Sequence, residues 1–168
     1  MKNLILIILT CAVAVLGFLY YNASETPKTN NGPASTNGQV SNAKDAVSYA
    51  GKGLENLPMS LFENNTIVEL DVSNNNLTGA LPAEIRNLTK LEILNASNNT
   101  MTGIPAEIGQ LRSLKVADFS YNDISGLPLE IGNLNSLEKL DLRGNPRVSR
   151  YDLERIRSTI PNAEILVD

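Results

Sequence analysis

The chain has 168 residues, 42% hydrophobic and 19% charged, which leaves room for one folded domain. It has no His, and its formal charge of −4 is made of scattered residues of both signs. That removes the commonest general base and metal ligand, and it leaves no basic stripe for a nucleic acid. The single Cys11 permits neither an intrachain disulfide nor a thiolate metal site. With 5% aromatic residues and no Trp, a core must be built from Leu, Ile and Val.

Residues 1–21 contain an almost wholly apolar run, Leu4 to Tyr21, preceded by one charge, Lys2. A helix of that run is roughly 27 Å long, close to the ~30 Å hydrocarbon core of a bilayer. Two readings stay open. In the first, the run is an uncleaved transmembrane anchor, with Tyr20 and Tyr21 at the interface and Lys2 setting the N-terminus in the cytoplasm, so that the rest of the chain lies outside. In the second it is a signal sequence whose cleavage releases the domain as a secreted protein. Phe18-Leu19-Tyr20-Tyr21 is poor cleavage chemistry, which favours the anchor.

Residues 22–42 are dominated by Pro, Gly, Ser, Thr and Asn and have few large apolar side chains. Such a segment cannot offset its ordering entropy, so the composition predicts a flexible linker with a coil dimension of roughly 25 Å.

From residue 43 onward a repeat sets the pattern. Ile67-x-x-Leu70-x-Val72-x-x-Asn75-x-Leu77 recurs as Leu91-x-x-Leu94-x-Ala96-x-x-Asn99-x-Met101 and as Leu114-x-x-Ala117-x-Phe119-x-x-Asn122-x-Ile124. A last copy, Leu137-x-x-Leu140-x-Leu142-x-x-Asn145, follows, and the copies start 24, 23 and 23 residues apart. Between them Leu81-Pro82-Ala83-Glu84-Ile85, Ile104-Pro105-Ala106-Glu107-Ile108 and Leu127-Pro128-Leu129-Glu130-Ile131 hold equivalent places. The L-x-L alternation has period two and predicts a short strand per copy, with Leu70 and Val72 inward and Asp71 and Ser73 outward. One such strand cannot bury its face alone, so the copies must stack. Pro in the return suits an irregular or 3₁₀ path. Asn75, Asn99, Asn122 and Asn145 fall where the chain leaves the strand for the interior. There an amide can satisfy buried backbone groups, which predicts a structural Asn ladder.

These residues resemble the leucine-rich-repeat signature L-x-x-L-x-L-x-x-N-x-L over residues 47–168. The copy at Asn74–Leu88 is similar to the plant-type 24-residue repeat, and the next two are similar to the 23-residue class. The resemblance implies an α/β fold: a leucine-rich-repeat solenoid, a right-handed superhelix with a short parallel sheet on its concave face and a C-terminal helix cap, preceded by the N-terminal hydrophobic helix. Residues 43–66 are then a degenerate capping repeat, with Lys52 at the Asn position, and residues 67–148 are the repeats. Residues 149–168 form the C-terminal cap. In it Ser149 is placed to cap a helix carrying Leu153, Ile156 and Ile160, and Glu164-Ile165-Leu166-Val167 reads as a last strand.

Function, on this reading, lies on the outward strand positions. Position five gives Asp71, Asn95, Asp118 and Asp141, and position seven gives Ser73, Ser97, Ser120 and Arg143. Glu69, Glu92, Lys115, Glu138, Lys139 and Tyr121 flank them, and Ile93 and Val116 leave a small apolar spot. The resemblance implies a protein or peptide ligand here. Nothing in the sequence asks for a cofactor, a metal, a nucleic acid or a small-molecule substrate, and no catalytic motif is present, so an enzyme is not expected. Among the alternatives are a divalent cation between Asp118 and Asp141 and a surface spacer without a partner. Asn22, Asn64, Asn76, Asn87, Asn95 and Asn98 open N-x-[ST] sequons, which an Asn-, Ser- and Thr-rich repeat produces by chance.

Overall fold

A computed structural model describes residues 45–168. The expected anchor (1–21), the linker (22–42) and the first residues of the N-terminal coil lie outside the described residues. Among the described residues no helix is long and apolar enough to cross a membrane.

The repeats form coils, each contributing one three-residue strand to a parallel sheet. The strands are β1 (Ala46–Ser48), β2 (Glu69–Asp71), β4 (Ile93–Asn95), β6 (Val116–Asp118), β7 (Lys139–Asp141) and β8 (Glu164–Leu166), in that spatial order. Leu70, Leu94, Ala117, Leu140 and Ile165 stand in register, so the inward row is continuous from coil to coil. The sheet is wider than the repeat count suggests, because β1 and β8 continue the register at both ends of the four copies. A second, two-stranded ladder, β3 (Thr78–Gly79) with β5 (Thr100–Met101), runs just past the Asn positions.

Each return is a five-residue 3₁₀ turn opened by Pro: Met59–Glu63, Ala83–Asn87, Ala106–Gln110 and Leu129–Asn133. Pro fits because its missing N–H falls at a turn start that has no partner to offer. Ile85, Ile108 and Ile131 drive into the core from these turns, which also contains Leu88, Leu111 and Leu134. Phe119 is buried at position six, where neighbouring coils carry the smaller Val72, Ala96 and Leu142. Returns approach closely at two glycines. A methyl on Gly109 would fall on the carbonyl oxygen of Glu130, and one on Gly132 would fall on the Thr159 hydroxyl.

The Asn side chains sit inside and bond across coils. Asn99 Nδ2 donates to Val72 O at 3.1 Å in the coil before it and to Ala96 O at 3.2 Å in its own, while its Oδ1 accepts Leu77 N at 3.0 Å. Asn122 repeats this with Ala96 O, Phe119 O and Met101 N, and Asn145 with Phe119 O, Leu142 O and Ile124 N. Asn75 reaches Tyr49 O and accepts both Lys52 N and Leu54 N, so Lys52 takes part through its backbone alone.

At the far end α1 (Arg150–Thr159) covers the last return. Ser149 Oγ accepts Asp152 N at 3.2 Å, and Ser149 N donates to Ser125 O at 2.7 Å, which ties the helix start to the preceding coil. Leu153, Ile156 and Ile160 are buried at helical spacing, and the helix stops before Pro161. Arg147, at a position the other copies fill with an apolar residue, turns out to the Asp123 carboxylate.

Asn99→Ala is expected to cost ~1–3 kcal/mol in a denaturant titration, because it orphans the buried Leu77 N–H and takes one of two amide donors from each of Val72 O and Ala96 O. Gly109→Ala is expected to cost ~1–3 kcal/mol by forcing two returns apart.

Candidate functional site

The outer side of the sheet carries three rows of side chains. Position three runs Ala46, Glu69, Ile93, Val116, Lys139, Glu164, and position five runs Ser48, Asp71, Asn95, Asp118, Asp141, Leu166. Position seven adds Ser73, Ser97, Ser120 and Arg143, so these expected site residues share one face. Ile93 and Val116 are side by side and half-buried, with Glu69 and Lys139 beyond them. Glu92, Lys115 and Glu138 form a parallel outer row, in which Lys115 Nζ meets Glu92 Oε2 at 2.8 Å.

Period-two alternation places position five off the core, yet Asp71 and Asp141 are only 2% and 3% exposed. Ser73, Ser97 and Ser120 are buried as well. The strands are short and closely stacked, so each small polar chain is walled in by its neighbours in register. Each polar position-five chain also folds back onto its own strand exit. Ser48 accepts Ala50 N, Asp71 accepts Ser73 N (2.9 Å), Asn95 accepts Ser97 N (3.1 Å), Asp118 accepts Ser120 N (2.8 Å) and Asp141 accepts Arg143 N (3.1 Å). These are side-chain turns that close the backbone where the ladder ends. The residue after position seven is left-handed in every coil: Gly51, Asn74, Asn98, Tyr121 and Gly144. Asn-Asn doublets and Gly at this place were a readable signal. Tyr121 had none. It is 63% exposed, and its ring lies against Gly144, where a Cβ would meet Cδ1 at 2.6 Å.

The two buried carboxylates differ electrically. Burial pushes Asp71 above the usual carboxylate range. Bonds from Ser73 oppose that shift, and the Asp118 charge adds to it. Burial acts the same way on Asp141, but there the bonds and charge of Arg143, helped by Lys139, outweigh it and leave the carboxyl lowered. Arg143 grips Asp141 as a fork, with Nε to Oδ1 at 3.0 Å and Nη2 to Oδ2 at 2.5 Å. A guanidinium therefore faces Asp141. Ion pairs among the described residues include Lys115–Glu92, Arg143–Asp141, Arg147–Asp123 and Arg157–Glu154. Groups of three or more acidic or Cys residues placed to hold a metal are absent among the described residues.

A family model described as Leucine Rich Repeat matches residues 66–88 and 90–111. No curated protein matches the chain. Among solved structures the chain is similar to a leucine-rich-repeat protein of Leptospira interrogans, at 40% identity and a TM-score of 0.62, over 66% of this chain and 28% of that one. It is similar to the ectodomain of the plant membrane receptor kinase GASSHO1/SCHENGEN3 from Arabidopsis thaliana, in complex with Casparian strip integrity factor 2, at 30% identity and a TM-score of 0.52, over 73% of this chain and 14% of that one. It is also similar to the ectodomain of the Arabidopsis receptor kinase SOBIR1, at 28% identity and a TM-score of 0.57, over 72% and 66%. The chain spans less than a third of the length of the first two.

The opposite shifts give opposite pH behaviour. Asp71 keeps its proton to higher pH folded than unfolded, so its contribution to stability is complete below 3.8 and is lost as pH rises through its folded value. Asp71→Asn, which retains the acceptor for Ser73 N, is expected to raise the denaturation midpoint at neutral pH and to gain nothing below 3.8. Asp141 contributes above 3.8 and loses that contribution as pH falls through its lowered value. Asp141→Asn is expected to lower the midpoint at neutral pH, with the difference closing in acid.

Proposed function

The chain is built from leucine-rich repeats, and on that premise we propose that it is a non-catalytic protein-binding module, held at a membrane by residues 1–21 and facing outward. The observation that carries the binding reading is the outer sheet face. It is a continuous row of short parallel strands with no element of the described residues laid over it. Its centre combines the half-buried pair Ile93 and Val116 with hydrogen-bonding and charged groups at fixed spacing, the mixture of apolar anchor and polar rim found where proteins meet. Strand spacing of ~4.8 Å sets that pattern rigidly, so little ordering entropy is lost when a ligand docks. One similar ectodomain is in complex with Casparian strip integrity factor 2, which supports a peptide or protein as the kind of ligand.

The outward location rests on the apolar run of residues 4–21, on Lys2 before it, and on the similarity to receptor ectodomains. The same run supports a second reading, in which the segment is a cleaved signal and the domain is secreted.

A photo-crosslinking residue placed at Val116 of the full chain in intact cells should yield a discrete protein adduct. The same residue at Gln110, on the return side, should not. An adduct absent from Val116, or equally strong from Gln110, would overturn the assignment of the face. Mass spectrometry of the mature N-terminus is expected to find Lys2 through Tyr21 retained. Their loss would convert the anchored protein into the secreted one.

A further inference from the structure

We propose that the partner segment on the strand face is extended and carries a basic, an apolar and an acidic side chain on alternate residues. Glu69, the pair Ile93 and Val116, and Lys139 receive them in that order. The inference rests on the face being the binding surface and adds the chemistry and spacing of what binds there.

The position-three row runs straight across the sheet. Ladder register sets Glu69 beside Ile93, Ile93 beside Val116 and Val116 beside Lys139. All four side chains are half-buried, so each offers part of its surface outward. In order the row is negative, apolar, apolar, positive. Position five is committed to the strand exit, where its polar chains accept backbone N–H groups. Position three takes Ala46, Glu69, Ile93, Val116, Lys139 and Glu164 in turn, so the backbone does not dictate its chemistry.

The spacing selects an extended ligand. Neighbouring strands are ~4.8 Å apart, so Glu69 and Lys139 stand roughly 14 Å apart with the apolar pair between them. An extended chain advances ~3.3 Å per residue and shows alternate side chains on one face. Its residues i, i+2 and i+4 span roughly 13 Å, with the middle side chain over the seam between Ile93 and Val116. A basic residue then meets Glu69, an acidic one meets Lys139, and the apolar one covers the pair. Position five lies only about 7 Å to one side. The track therefore suits an extended chain better than a helix, which is ~10–12 Å across.

Charged neighbours fix where the segment stops. Glu164 follows Lys139 in the row, so a segment displaced by one strand would lay its acidic end on a carboxylate. Lys139 lies in the field of Asp141, whose two oxygens are already held by Arg143 of the same coil, coil four. In the parallel row Lys115 and Glu92 satisfy each other.

The test uses the full chain and three labelled, capped peptides that differ only in charge: Lys-Ser-Leu-Ser-Glu, Lys-Ser-Leu-Ser-Lys and Glu-Ser-Leu-Ser-Glu, each flanked by Gly-Ser. Binding is followed by fluorescence anisotropy at low salt. The mixed peptide should bind at least about fivefold tighter than either of the others. Glu69→Lys should transfer the preference to the doubly acidic peptide, and Lys139→Glu to the doubly basic one. Each substitution places in one coil what another coil already carries at that position, which safeguards the fold. Glu84→Lys, the same charge change on a return, should leave the order of the three peptides as it was. Moving Leu next to Lys in the mixed peptide should weaken it by at least about fivefold, because Leu then points away from the sheet. Equal binding of the three peptides, binding by none, or a preference that neither face substitution moves overturns the proposal. A Val116 adduct obtained alongside such a result leaves the binding face standing and removes only this partner. Loss of both removes the face itself.

Discussion

Everything in this domain hangs on how the chain leaves a strand. Three residues of ladder end abruptly, and the next backbone groups turn into an apolar interior where water cannot reach them. A buried unpaired amide or carbonyl costs about 1–3 kcal/mol. Asn99 answers that with four contacts, three from its amide nitrogen and one to its oxygen, spread over two coils. The bonds to the preceding coil make each repeat dependent on its neighbour, so a coil is stable only in a stack. The same bonds fix the offset between coils and therefore the spacing of everything on the outer face.

The exit imposes a second condition one residue earlier. To aim the Asn inward the backbone passes through the left-handed region, which Gly and Asn accept at little cost and Tyr does not. Tyr121 is nevertheless placed there, with its ring laid over a neighbour whose only suitable side chain is a hydrogen atom. Gly144 thus serves twice, once for its own positive φ and once as the bed for the ring. A bulky aromatic thus sits, 63% exposed, in a backbone conformation that costs it energy.

The sequence carries the fold well because each element repeats in it. Ile67, Leu91, Leu114 and Leu137 announce the period, Leu-x-Leu announces the strand, and Pro82, Pro105 and Pro128 announce the 3₁₀ returns. Ser149 marks the helix start. The last strand was legible as well, in Glu164-Ile165-Leu166-Val167, but its register was not. β8 lies in register with β7 although its inward residues follow a helix at unequal spacing, and Leu166 takes position five with no polar atom to offer. On the outer face alternation tells which residues leave the core, but not how far their neighbours cover them. Asp71 and Asp141 are buried because coils stack sideways, a contact that one strand's sequence does not contain. The Asp141–Arg143 fork could have been found, since residues two apart on a strand share a side. The propped ring of Tyr121 could not, because it depends on Gly144 one coil away.

The balance of charge on the face follows from that lateral burial. Once a position-five side chain is walled in, a carboxylate there bears a desolvation cost that an amide would avoid, and Asn95 shows that an amide does the backbone's work. Coil four offsets the cost with its own guanidinium, which is why Asp141 is driven down where Asp71 is driven up. In the Asp71 coil position seven is Ser73 rather than a cation, and the nearby Asp118 charge adds to the upward shift. The carboxylate of Asp71 is thus a charge that the turn itself does not require, held where burial disfavours its ionised form.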